Sequence, residues 1–213
     1  MNSPSPVKGA EIGGGPRAIR QIRVPTLSDV SRLMEVCVGD VPLLIETLYS
    51  TGIRISEAAG LQVSDLDFEM GFMIISKRDC RGSMGDTKSA QGVRELPLGH
   101  IAEALKQHVV GKMPSDRVFT WKGAPIVDNN LLNNYLSPRM KKLGIKFDGF
   151  GWHTFRRLHL SLMSQRGLSL FDLRQQAGHA SVLTTQRYIA DDLKARVQAA
   201  NALPFLTKSK KLA

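Results

Sequence analysis

His153-Thr154-Phe155-Arg156-Arg157, continuing Leu158-His159-Leu160-Ser161-Leu162, is the stretch around which the rest of the chain can be organised. Phe155, Leu158 and Leu162 recur at three- and four-residue intervals, the period of an amphipathic helix. The spacing predicts a helix over about 153–166, closed by Gly167. A separation of three puts His153 and Arg156 on one face of it, while Phe155, Leu158 and Leu162 face a core. Taken alone, an imidazole and a guanidinium on one helix face fit a solvated surface as well as they fit a site.

On the C-terminal side, Ser169 and Asp172 have the spacing of a capping box for a helix over Leu170–Ala177. Gly178 suits its end, and His179 follows on the tight turn Gly178-His179-Ala180-Ser181. Ser181 can cap a further helix carrying Thr184-Thr185-Gln186-Arg187-Tyr188. On the N-terminal side, Gly71–Ser76 and Val93–Leu98 read as strands, with Pro97 near a strand end or on a sheet edge. Arg81-Gly82-Ser83-Met84-Gly85-Asp86 between them reads as turn. Helices are expected near 101–110 and 129–142. The apolar run Leu43–Tyr49 predicts a buried helix ending at Thr51-Gly52, where Gly52 suits a left-handed cap. Arg54 opens the next helix, with Ile55, Ala58, Ala59 and Leu61, before Ser64-Asp65 breaks the pattern. Thr26–Val36, with Leu27, Val30, Leu33 and Met34, is another amphipathic helix. The expected fold class is therefore mainly α with a small antiparallel β-sheet, an α+β unit over 25–192. Residues 1–24 read as a flexible basic arm with Arg17, Arg20 and Arg23. Residues 193–213 begin with helical spacing (Leu193, Val197, Ala200, Leu203) and end basic at Lys208, Lys210 and Lys211.

Composition narrows the function. The chain has 213 residues, 42% of them apolar, enough for one packed core. No run of about 18 apolar residues marks a membrane span. The first fifteen residues lack the apolar centre of a signal peptide, so a cytoplasmic, nucleoid-associated location is expected. Cys37 and Cys80 lack metal-ligand spacing and read as two plain thiols. A net charge of +10 favours a polyanionic partner, and nucleic acid is the commonest inside cells.

The polar residues singled out above, with Arg54 and Glu57 of Thr51-Gly52-Ile53-Arg54-Ile55-Ser56-Glu57, suit one reaction when taken together. That reaction is displacement at a phosphodiester by a phenol. Two guanidiniums can grip the non-bridging oxygens of a phosphate whose charge grows in the transition state. A phenol with pKa near 10 is a weak nucleophile at neutral pH, so a histidine should orient it or take its proton. The leaving 5′ oxygen needs a proton, and a lysine can supply it. No metal and no nucleotide cofactor are required by this scheme. No Asp/Glu cluster of the kind two-metal nucleases use stands out.

Arg54-Ile55-Ser56-Glu57, His153-Thr154-Phe155-Arg156-Arg157, Gly178-His179-Ala180-Ser181 and a tyrosine nine residues after His179 occur in this order. Over about Thr26 to Asp192 the chain thereby resembles the tyrosine recombinases, the phage integrase family. The resemblance implies that Arg54 and Arg156 hold the scissile phosphate. His153 would assist proton transfer and His179 would contact the phosphate. Tyr188 would be the nucleophile that forms a 3′-phosphotyrosyl link. Glu57 would buttress Arg54. The family's catalytic lysine lies on a turn of the small sheet, where Lys88 in Asp86-Thr87-Lys88-Ser89 fits and Lys77 is the rival. The implied partner is double-stranded DNA bearing specific recombination sites. The implied assembly is a homotetramer on DNA, monomeric or weakly associated when free, with the 193–213 segment exchanged between protomers. Most members carry a helical DNA-binding domain before the catalytic one. The 24-residue arm is too short for that, so the expectation is a fragment or a short member without it. Two other readings stand beside recombination: strand relaxation like a type IB topoisomerase, and a non-catalytic DNA-binding protein on the same fold.

Overall fold

The computed structural model describes residues 25–80, 83–86, 93–145 and 149–178. The chain opens with α1 (Leu27–Glu35), capped as its sequence suggests: the Asp29 amide donates to the Thr26 hydroxyl and the Thr26 amide to the Asp29 carboxylate. Val30 and Leu33 are buried, whereas Leu27 at the first turn is exposed.

Helix α2 (Val41–Thr51) is the central post of the domain. Val41, Leu44, Ile45 and Leu48 are buried along it. Buried Thr47 and Thr51 donate their hydroxyls to the carbonyls one turn back, Leu43 and Thr47, at 2.8 and 2.6 Å, so neither is left unsatisfied. The helix stops at Gly52, whose φ of +69° is the left-handed cap that its sequence predicted. After Ile53, α3 (Ile55–Gly60) begins directly behind Arg54. A single tight turn at Val63–Asp65 then leads into the strands.

Strands β1 (Leu66–Asp67), β2 (Phe72–Ile75) and β5 (Arg94–Pro97) form an antiparallel sheet in the order β1-β2-β5. β2 alternates, with Met73 and Ile75 buried and Ile74 exposed. On β5, Leu96 faces the core, and the two-residue period turns Arg94 inward with it while Glu95 and Pro97 face out. Pro97 thus sits on an edge strand, where its missing N–H costs no ladder bond.

Two expectations need correction. Ser83–Asp86 is not turn but strand β4, paired antiparallel with β3 (Lys77–Cys80), Lys77 opposite Asp86 and Cys80 opposite Ser83. The turn-forming residues of this segment are overridden by packing: β3 lies across α3 so closely that a Cβ on Gly60 would stand 2.8 Å from the Arg78 carbonyl carbon and the Asp79 nitrogen. Asp79, buried on β3, is paired with Arg117 at 2.5 Å. Second, the 129–142 helix is not uniform. α5 (Asp128–Leu131) and α6 (Ser137–Lys142) are joined by a wide π turn at Leu132–Leu136. Pro138 follows it and has no N–H to give the helical ladder, and the wide turn absorbs that break.

Helix α4 (Ala102–His108), α7 (His153–Gln165) and α8 (Leu170–Ala177) complete the described fold. α7 packs on α2 and buries Phe155 and Leu158 as its period predicts, with Leu162 half-buried against the same core. Ser169 caps α8 by accepting from the Asp172 amide at 3.1 Å, and Gly178 ends it at φ +59°. Cys37 is a buried free thiol whose pKa burial pushes up. Among the described residues, no helix is long and apolar enough to cross a membrane.

Candidate active site

Arg54 stands at the junction of α2 and α3. Its extended backbone lets its own N–H donate to the Glu57 Oε2 at 2.7 Å, while its guanidinium reaches forward to Glu57 Oε1 at 2.9 Å. The three-residue spacing therefore does what its helical geometry allows: Glu57 closes the first turn of α3 and fixes the arginine side chain at once. Glu57 is 3% exposed, whereas the Arg54 side chain keeps 34% of its surface open to solvent. A cation is thus presented outward on a buried acid.

Glu57 has a second partner. Arg94 on β5 grips the same carboxylate with both terminal nitrogens, at 3.2 and 2.8 Å. Burial alone would raise the Glu57 pKa. The hydrogen bond and charge of Arg94, the Arg54 amide and the Arg54 charge outweigh it, and the carboxyl is held below its ordinary value.

Arg156 is 3% exposed, in the interior of the site. One terminal nitrogen donates to the Gly52 carbonyl at 2.6 Å and the other to the Ala177 carbonyl. These two carbonyls fix the plane of the guanidinium. They also tie the turn before Arg54 to the end of α8, just before His179. His153, one helical turn back, is exposed at the start of α7. Partial burial of its ring, and then the positive charges of Arg156, Arg157 and Arg54, hold its pKa below the ordinary value against the weaker pull of Asp128. Arg54, Arg156 and His153 are therefore neighbours in space, although 102 positions of sequence separate the two arginines (156 minus 54).

His159 was not singled out by its sequence position, yet it braces the site. It is buried on α7, and its Nδ1 lies 2.9 Å from the Tyr49 carbonyl, which can only accept, so Nδ1 carries the proton. Its Nε2 is buried without a hydrogen-bond partner, with the Gln176 side chain close by. Burial first, together with the Arg156 charge, lowers its pKa despite the opposing Tyr49 and Gln176 contacts. Arg94 also escaped the sequence reading. Its one signal was parity: it falls in phase with buried Leu96 in Val93-Arg94-Glu95-Leu96-Pro97-Leu98. Lys77, the rival lysine, lies on β3 with its Nζ 2.5 Å from the Gln62 Oε1. Lys88, His179, Tyr188, the 1–24 arm and the 193–213 tail lie outside the described residues. Among the described residues, no group of three or more His, Cys, Asp and Glu is placed to hold a metal.

The family described as the phage integrase family matches residues 24–194 of the chain. A tyrosine recombinase XerA of Pyrococcus furiosus is 30% identical over 191 residues, a match covering 85% of this chain and 63% of that protein. A tyrosine recombinase XerD of Halalkalibacterium halodurans is 28% identical over 189 residues, covering 81% of this chain and 59% of its own. The chain thus spans less than two thirds of these curated relatives. Among solved structures, the Tn1549 transposon integrase in complex with a circular intermediate DNA superimposes with a TM-score of 0.72 at 20% identity, over 87% of this chain and 67% of that one. The catalytic domain of bacteriophage HP1 integrase gives 0.58 at 17% identity, over 84% of this chain and 95% of its own. At these identities the structures establish a shared fold.

Proposed function

Because the chain belongs to the phage integrase family, we propose that it carries the catalytic domain of a site-specific tyrosine recombinase. It would cleave and rejoin DNA strands through a covalent bond to Tyr188. The observation that supports this most is the convergence of Arg54, Arg156 and His153. Arg54 and the His153–Arg156 pair on α7 come from separate stretches of chain, and the two buried partners, Glu57 and the Gly52 carbonyl, aim the two guanidiniums.

In this reading Arg54 and Arg156 clamp the non-bridging oxygens of the scissile phosphate and stabilise the charge that builds on them. The Tyr188 phenol attacks phosphorus, and a Tyr–O–P bond forms as the P–O5′ bond breaks. His153, its pKa held low, is neutral at pH 7 and free to take the phenolic proton. Lys88 gives a proton to the departing 5′ oxygen, and His179 contacts the phosphate. One phosphodiester replaces another, so the bond energy is kept in the phosphotyrosine and the reverse attack by a 5′ hydroxyl reseals a strand. Residues 25–192 form the catalytic unit on duplex DNA. The 1–24 arm adds phosphate contacts, and the 193–213 tail joins protomers of a tetramer assembled on DNA in the cytoplasm. Truncation after Asp192 is expected to impair pairing of two DNA sites, measured by native gel, more than binding of one. Equal loss of both would refute the tail's role.

The decisive experiment uses a suicide duplex, nicked beside the cleavage point and built from DNA flanking the gene. Wild type is expected to give a protein–DNA adduct that survives denaturation, and Tyr188→Phe none. An adduct from Tyr188→Phe, or DNA binding with no adduct from either protein, would count against the reading.

A further inference from the structure

We propose that Arg94 is a positioning residue of the phosphate clamp, holding Arg54 and the C-terminal end of α8 at their working separation; this rests on the recombinase reading above. Arg94 faces inward from the edge strand β5, and its side chain is only 8% exposed. An arginine in such a place is costly unless its charge is balanced and its donors are used. Here the fork meets both conditions and points two ways. The terminal nitrogens hold both oxygens of Glu57, at 2.8 and 3.2 Å, and Nε donates to the Gln176 carbonyl at 2.9 Å in the last turn of α8. Arg94 also lies directly against the turn that follows: a Cβ on Gly178 would stand 3.1 Å from its terminal nitrogen.

Two consequences follow for chemistry at Arg54. The first is electrical. A carboxylate paired with Arg54 alone would neutralise it. Shared between Arg54 and Arg94, the one negative charge of Glu57 leaves a net positive charge in the triad, so Arg54 can aim at an anionic phosphate while still being held. The second is geometric. Arg94 joins the first turn of α3 to the last turn of α8, and Arg156 ties the α2 cap just before Arg54 to the same helix end through the Gly52 and Ala177 carbonyls. Two arginine struts thus set the distance between Arg54 and the C-terminal end of α8. Displacements on the order of 1 Å in such a constellation cost about 100-fold in rate.

The test compares full-length wild type, Arg94→Met and Arg94→Lys on the suicide duplex, with either a normal scissile phosphate or a neutral methylphosphonate in its place. All rates are taken at saturating DNA and below each protein's unfolding temperature. Arg94→Met is expected to slow adduct formation about 10- to 100-fold, up to the loss that a displacement of about 1 Å brings, with DNA affinity changed less than about 3-fold. Arg94→Lys keeps charge but not the fork and should fall between the two. On methylphosphonate, which presents less anionic charge to clamp, the defect should shrink. Arg117→Met, which breaks the buried pair with Asp79 elsewhere in the domain, serves as the control for simple loosening and should show no such substrate dependence. Wild-type rates from Arg94→Met, or an equal defect on both substrates, would overturn the proposal. If wild type itself forms no adduct, the recombinase reading fails first and this one with it.

Discussion

Gly52→Ala tests the joint on which the site turns. Two separate costs can be read from the structure. Gly52 has φ +69°, and a residue with a Cβ in that left-handed region costs about 1–2 kcal/mol. The new Cβ would also stand 2.5 Å from the His159 Cδ2 and 3.1 Å from its Cγ. That ring cannot swing aside freely, because its Nδ1 is bonded to the Tyr49 carbonyl and the side chain is buried. Overpacking of this kind costs about 1–3 kcal/mol. The stiffer unfolded chain returns about 0.4–1 kcal/mol. The expected net loss is about 1–4.5 kcal/mol, a fall of roughly 2–18 °C in Tm for a chain of this size. Urea unfolding followed by circular dichroism measures it. Adding His159→Ala removes the clash but not the backbone cost, so the double variant should lose less than the sum of the singles by about 1–3 kcal/mol. A Gly52→Ala loss under about 0.5 kcal/mol, no more than an ordinary surface change, or strict additivity with His159→Ala, would refute the reasoning.

Two further outcomes are expected. Glu57→Gln leaves Arg94 and Arg54 without their shared countercharge and should cost about 3–5 kcal/mol at pH 7. The folded pKa of Glu57 lies below its ordinary 4.5, so its contribution is present above that value and fades as pH falls through it toward the folded pKa. The stability gap between variant and wild type should therefore narrow between pH 5 and pH 3, and a constant gap in urea midpoints would contradict the pairing. His159 has a folded pKa below its ordinary 6.5, so the unfolded chain binds its proton first and stability declines as pH drops below that value. His159→Leu should flatten the wild-type decline between pH 7 and pH 5, leaving a smaller slope from His153; an unchanged slope would show that His159 is not its source.

The local punctuation of this fold was legible in its sequence. Gly52 and Gly178 end helices where a left-handed residue is needed, and Ser169 caps α8 as its spacing with Asp172 predicts. The periods of α2, α7 and β2 point the right residues inward because each needs only its own side-chain pattern. What escaped was set by contacts between distant segments. Ser83–Asp86 carries turn residues, but β3 pressed against Gly60 supplies a pairing partner that no local preference reveals. Of the candidate site, Arg54, Glu57, His153 and Arg156 were legible as types at suggestive spacings. Arg94 was not, because its partners, Glu57 and Gln176, lie 37 and 82 residues away. A lone arginine in a strand is ordinarily solvated, and only its parity with Leu96 argued otherwise.

Those long-range contacts share a destination. The carbonyls of Gln176 and Ala177, at the C-terminal end of α8, accept from Arg94 and Arg156 respectively. The last carbonyls of a helix have no partner within it and carry its negative partial charge. A pair of guanidiniums there satisfies the helix end and holds it in place. The same two arginines reach the other way to Glu57 and the Gly52 carbonyl, on either side of Arg54. The spacing of the site is therefore built from backbone carbonyls and one carboxylate and not from apolar packing alone. Cationic side chains meant for a polyanion can crowd together only where such acceptors absorb part of their charge. Arg54, the most exposed of the three with 34% of its side-chain surface open, is then the one left facing outward, where the proposed recombinase would present it to a phosphate.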